Sequence, residues 1–147
     1  MEIRKQAHVV YRAQYHIVWI PKYRHKILKS GVKEYAEIKL DEVRRYYPDM
    51  EYIERNVQTD HIHLVLSFPP KYSVSKIVQI LKTNTSASLK NKFDFIWDLY
   101  KGGSIWSVGY FFSTVGIDEQ TIRNYVKHQE MEDLGQVQLD LFKKPRT

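Results

Sequence analysis

The hydrophobic period of this sequence switches at fixed places, and the order of the switches restricts the chain to few folds. Two extended runs, 52–57 and 61–68, are separated only by Gln58, Thr59 and Asp60 and read as an antiparallel hairpin. A helical stripe stands on each side of it. Val32, Ala36, Leu40, Val43 and Tyr47 precede the hairpin and stop at Pro48. Val74, Ile77, Val78, Leu81 and Thr85 follow it, after Pro69 and Pro70 and with Ser73 placed to cap. Outside these, residues 9–20 form a strand ending at Pro21, and 106–115 form another, broken by Gly116. Asp118 then caps a last helix through Ile122 and Val126, while residues 92–105, with Gly102 and Gly103, fit no clear period. Strand, helix, strand, strand, helix, strand is the split βαβ order of ferredoxin-like and RNA-recognition domains. An α+β fold is expected: a four-stranded antiparallel sheet with helices on one face, the other face free, and an added C-terminal helix. No linker or repeat interrupts it. We expect one domain over 1–147, with a core of about 9–130 and a loosely held tail from 131 to 147.

The 147 residues carry 23 Lys and Arg against 17 Asp and Glu, and this charge is segregated. The first 30 residues hold seven bases and one acid, so their net charge of +6 equals that of the whole chain. A second tract, residues 71–92, has five lysines and no acid, whereas 130–142 has four acids and no base. Segregation of this kind suits a polyanionic partner, although solubility lysines would also produce positive charge. The absence of cysteine removes disulfides, thiolate nucleophiles and Cys-ligated metals, and fits a reducing, cytoplasmic setting. Neither a signal-type apolar stretch nor a membrane span is visible.

In the run 61–68, Ile62, Leu64, Leu66 and Phe68 alternate with His61, His63, Val65 and Ser67, so both histidines point away from the core. Two residues along a strand separate Cα atoms by roughly 6.6 Å, close enough for two imidazoles to share one ion. Two solvent-facing histidines remain the plain alternative. A third ligand would be needed, and the last helix offers a face with Tyr125 and Gln129 four residues apart, beside Asn124 and His128. An amide oxygen suits Mg²⁺ or Mn²⁺ better than zinc. Tyr125 reads equally well as a core residue beside Ile122 and Val126.

Taken in order, Tyr15-His16-Ile17-Val18-Trp19, Lys22-Tyr23-Arg24, Asp60-His61-Ile62-His63-Leu64, Pro69-Pro70 before Ser73-Val74-Ser75, Leu81-Lys82, Trp106-Ser107-Val108-Gly109-Tyr110, and Tyr125 with Gln129 form a set. This set resembles the single-tyrosine transposases of the IS200/IS605 group, members of the HUH endonucleases, over residues 9–129. The resemblance implies that Tyr125 is a nucleophile and that His61, His63 and Gln129 hold a divalent metal, Mg²⁺ or Mn²⁺. It implies cleavage and rejoining of single-stranded DNA at hairpin-marked element ends and at target DNA, through a 5′-phosphotyrosine. It further implies a homodimer whose tyrosine helices can be exchanged so that sites are completed in trans. Gly116, just before that helix, is a candidate hinge. Lys22, Arg24 and Lys82 are candidates for holding DNA phosphates. Rival readings are a relative acting on repeated chromosomal palindromes, a non-catalytic RNA-recognition-type domain, and a metal-independent RNA nuclease using His61 and His63 as acid and base.

Overall fold

The computed structural model describes residues 3–6, 9–11 and 13–142, with side chains described for residue 3 and residues 13–135. The predicted hairpin forms from β4 (Glu51–Gln58) and β5 (His61–Ser67), with Gln58 opposite His61 across a two-residue turn and a bulge between Tyr52 and Glu54. β3 (Tyr15–Trp19) pairs antiparallel with the other edge of β5, placing Trp19 opposite Ile62 and Ile17 opposite Leu64. β6 (Phe111–Ser113) adds to β3, giving the order β4-β5-β3-β6. This is the expected α+β sheet, antiparallel throughout.

Alternation sends Ile17, Trp19, Ile62, Leu64, Leu66 and Phe68 to one face, where all are buried. Onto them pack α1 (Val32–Val43) through Val32, Ala36 and Leu40, and α2 (Val74–Lys92) through Ile77, Val78 and Leu81. Burying each of the Val, Leu, Ile and Phe side chains among these contributes about 1.5–3 kcal/mol of transfer free energy. The helix ends have local causes. Gly31 (φ 91°) turns the chain into α1, and Glu34 accepts from its amide at 2.5 Å. Ser73 caps α2 by accepting from Lys76 N at 3.1 Å. The α1 stripe ends at Val43 because the next amides, those of Arg44, Arg45 and Tyr46, bond three residues back and tighten the last turn before Pro48.

Four expectations need correction. The strand predicted over 9–20 is two strands. β2 (Val9–Tyr11) pairs with β1 (Arg4–Gln6) in a separate ribbon, and only β3 enters the main sheet. Tyr15 already faces Leu66 near the end of β5, and Pro69 and Pro70 beyond it have no amides to extend a ladder. The strand predicted over 106–115 shrinks to β6. Gly109 sits at φ 95°, and the carbonyls of Ser107 and Gly109 each accept from Lys82 Nζ at 2.8 Å rather than from a neighbouring strand. Trp106 retains one bridge, to Pro21. Within 92–105 a short helix, α3 (Asp94–Leu99), follows α2 directly.

The third correction bears on function. The second sheet face is not free: α4 (Glu119–Phe142) lies on it, burying Val18 and Val65 with its own Val126. Asp118 caps α4 as expected, accepting from Thr121 N at 2.8 Å. The helix continues through residues 131–142, which were expected to be a loose tail; 143–147 lie outside the described residues. Among the described residues no helix is long and apolar enough to cross a membrane.

Candidate active site

β5 delivers His61 and His63 to the face that α4 covers, and together they line a cleft of about 620 Å³. Asn56 of β4 and Ile122, Arg123 and Val126 of α4 form its other walls. The two imidazoles differ in their partners. Asp60, in the β4–β5 turn, accepts from His61 Nδ1 at 2.9 Å. Burial works to raise the Asp60 carboxyl, but the bonds from His61 and Arg24 outweigh it and hold it below its ordinary value. An ionised carboxylate only accepts, so it fixes the proton on Nδ1 and leaves Nε2 of His61 as the ligating atom. His63 Nε2 is buried with no hydrogen-bond partner. Burial, reinforced by His16 and His61, pushes His63 below the ordinary histidine value and favours the neutral form that ligation needs. An orphaned imidazole nitrogen beside a carboxylate-oriented one fits half of a divalent-metal site. His16 of β3 lies alongside, its ring 5.8 Å from that of His63 and its Nδ1 likewise buried and unpartnered.

Tyr125 and Gln129 are on α4 but line a different part of it. The Tyr125 ring packs on Phe111 of β6 at 5.8 Å, and its hydroxyl is buried without a partner. Burial first, then the charge of Asp133, push this phenol well above its ordinary value. Gln129 Oε1 lies 3.9 Å from where a Cβ on Gly109 would stand, and its amide donates to Asp133 Oδ1 at 3.5 Å. Neither residue lines the histidine cleft, whereas Ile122, Arg123 and Val126 of the same helix do. Among the described residues no three His, Cys, Asp or Glu side chains gather as a metal cage.

The three candidate DNA contacts have different surroundings. Lys22 is half-buried, its ammonium 5.4 Å from the Tyr23 ring centre, and it borders a cleft shared with Gln129. Arg24 is exposed but engaged by two carboxylates, its Nε donating to Asp60 at 3.0 Å and its Nη1 to Glu130 at 2.9 Å. Lys82 is spent on two carbonyls, and burial pushes its ammonium down to about 8 against the opposing charge of Asp133. Lys90 likewise donates to the Gly103 carbonyl at 2.8 Å, and Lys71 pairs with Asp49 at 3.0 Å. Much of the second basic tract therefore stitches the fold together. Gly116 has an ordinary φ, and a Cβ there would meet nothing within 4 Å, so the observed backbone does not itself require glycine.

Residue patterning missed two carboxylates. Asp60 was visible as the neighbour of His61. Asp133, nearly fully buried, accepts from the Ser107 hydroxyl at 2.7 Å and from Tyr23 N at 3.1 Å. Its only signal was its place one turn after Gln129.

Comparison with known proteins identifies the family. The family model described as "Transposase IS200 like" matches residues 9–129. The transposase of insertion sequence element IS200 from Salmonella typhimurium is 34% identical over 135 residues, 92% of this chain and 88% of that protein. The ISDra2 transposase TnpA of Deinococcus radiodurans is 28% identical over 130 residues, 88% of this chain and 92% of that one. A Deinococcus radiodurans R1 crystal structure assigned as a transposase superposes with a TM-score of 0.74 at 26% identity, covering 86% of this chain and 97% of that one. A tyrosine transposase bound to a REP hairpin shares the fold, with a TM-score of 0.53 at 12% identity over 92% of this chain and 74% of that one. The match along nearly the whole chain, on a sheet that carries the paired histidines and a helix that carries Tyr125, places this protein in the IS200-like transposase family.

Proposed function

We propose that the protein cleaves and rejoins single-stranded DNA at hairpin-marked ends of an insertion sequence, with Tyr125 as the nucleophile. The observation that carries this reading is the state of the two imidazoles: one oriented by Asp60, the other buried with its Nε2 unpaired. His61, His63 and Gln129 would hold a divalent ion, Mg²⁺ or Mn²⁺. When bound, that ion supplies Lewis-acid polarisation of the scissile phosphate and offsets the charge developing on its oxygens. Tyr125 Oη attacks phosphorus and gives up its proton to solvent, the bond from phosphorus to the 3′ oxygen breaks, and the leaving 3′ oxygen takes up one proton from solvent, so the step releases no net proton. The products are a 5′-phosphotyrosine and a free 3′-hydroxyl. The phosphodiester energy stays in the tyrosyl link, so a 3′-hydroxyl can reverse the step on another end.

Tyr125 packed on Phe111 is a resting position for this chemistry, because its hydroxyl must reach a phosphate held by the histidines. That Tyr125 and Gln129 do not line the histidine cleft of their own chain supports a homodimer in which α4 of one copy completes the site of the other. Binding of a hairpin by a protein of the same fold agrees with hairpin-marked substrates. Lys22 is the basic residue best placed to contact phosphate near Gln129.

The test is a denaturant-resistant protein–DNA adduct formed on a labelled single-stranded hairpin with Mg²⁺ or Mn²⁺. Tyr125→Phe should remove the adduct and chelator should prevent it; cleavage surviving both would overturn the reading. A mixture of Tyr125→Phe and His63→Ala chains should regain adduct formation if sites are shared between copies.

A further inference from the structure

Arg24 lines the histidine cleft and is also tied to the helix that carries Tyr125 and Gln129. Its Nε donates to Asp60 Oδ2 at 3.0 Å and its Nη1 to Glu130 Oε2 at 2.9 Å, while Asp60 Oδ1 accepts from His61 Nδ1 at 2.9 Å. An unbroken line of hydrogen bonds therefore runs from Glu130, the residue after Gln129 on α4, to the first imidazole. The turn that carries Arg24 is itself unusual. Tyr23 and Arg24 have φ of 61° and 54°, a left-handed conformation that non-glycine residues avoid. Such backbone persists only where its surroundings over-determine it. Here Lys22 N donates to Ile105 O at 2.8 Å, Arg24 N to Pro21 O at 2.9 Å, and Tyr23 N to Asp133 Oδ2 at 3.1 Å. Asp133 and Glu130 both belong to α4, so this helix holds the turn at its backbone and at its side chain.

We propose that Arg24 is a positioning residue that makes the orientation of His61 depend on whether α4 is docked. With α4 in place, Glu130 and Asp133 hold the turn, the turn aims Arg24 at Asp60, and Asp60 keeps the His61 proton on Nδ1. When α4 leaves, Arg24 loses one of its two carboxylates and its backbone loses an anchor, so Asp60 is released to other orientations. The Arg24 and Glu130 side chains are 40% and 33% exposed, which makes the pair weak as a source of stability and gives it value chiefly through geometry. A fork-shaped guanidinium suits this task because it can address two carboxylates at once. The inference rests on the reading of His61 and His63 as metal ligands.

The test uses the full chain, labelled with ¹⁵N-histidine and free of metal, with the His61 signal identified by its loss in His61→Ala. Ring-nitrogen shifts report which nitrogen carries the proton, and Mn²⁺ affinity is measured in parallel. In the parent protein His61 should be the Nδ1–H form. Glu130→Gln, a mild change that does not touch His61, should shift it toward mixed tautomers and weaken Mn²⁺ binding by about tenfold, within the range seen when residues that orient metal ligands are changed. Arg24→Gln should do at least as much. In an Asp60→Asn background Glu130→Gln should add less than about twofold, because the route is already cut. Unchanged tautomers in both single variants would overturn the proposal, as would independent effects of Glu130→Gln and Asp60→Asn. So would an Arg24→Gln protein altered only in salt-sensitive DNA binding. A parent protein that binds no Mn²⁺ would defeat the metal reading, while the tautomer shift in Glu130→Gln would still decide the coupling.

Discussion

His61 and His63 occupy alternate positions of one strand, yet one imidazole has a partner at its Nδ1 and the other has a buried nitrogen with none. Alternation along β5 was legible in the sequence and put both rings on the same face. Their difference was not, because it arises from the β4–β5 turn, which supplies Asp60, and from α4, which closes over the sheet. Asp133 illustrates the same limit. In sequence it is one acid of an acidic stretch, but in the fold it is buried against Ser107, Tyr23 and Gln129. A buried carboxylate that loses a donor carries the cost of its desolvation uncompensated, about 1–3 kcal/mol. Ser107→Ala should therefore lower stability by that amount in urea denaturation. Ser113→Ala, on an exposed hydroxyl bonded only to nearby backbone, should change it by less than about 0.5 kcal/mol.

Elements with a single strong period were readable: α1, α2, the β4–β5 hairpin and the start of α4 fall where the apolar spacing and the caps put them. The failures lie where backbone groups are claimed by something other than a regular neighbour. Residues 106–110 have the composition of a strand, but Lys82 takes two of their carbonyls and Gly109 turns the chain at φ 95°, leaving only β6. The site followed the same pattern. The spacing of Tyr125 and Gln129 on one helical face was visible, whereas which α4 residues line the histidine cleft depends on where the helix lies on the sheet. The two glycines that flank β6 should consequently behave differently. Gly109→Ala forces a side chain into left-handed backbone and should cost about 1–2 kcal/mol. Its Cβ would also stand 3.9 Å from Gln129 Oε1. Gly116→Ala meets no atom within 4 Å at an ordinary φ, and should leave stability unchanged or raise it by about 0.4–1 kcal/mol through the unfolded chain. Chemical denaturation of the two variants checks both expectations.

Over the whole molecule, the net charge of +6 suggested a surface for a polyanion, but several of its cations are internal fittings, and this makes the stability of the chain sensitive to alkaline pH. Lys82 is the clearest case. Burial pushes its ammonium from 10.5 down to about 8, so between those values the unfolded chain binds a proton that the folded chain has released. Stability must rise with pH across that window, since the penalty of a buried charge is complete below pH 8 and relieved above it. The neutral amine still has two N–H donors, enough for the carbonyls of Ser107 and Gly109. Tyrosines act in the opposite direction. Tyr52, Tyr100 and Tyr125 are all raised above 10.0, chiefly by burial, so their favourable contribution is complete below pH 10 and is lost as the unfolded phenols ionise above it. The two effects together place a stability maximum between about pH 8 and 10, reached by denaturant titrations at half-unit steps. Lys82→Met should abolish the rise below the maximum while keeping the fall above pH 10, whatever it does to absolute stability by stranding the two carbonyls. A variant that retains the rise would show that another group titrates there and that the Lys82 ammonium stays charged in the folded chain.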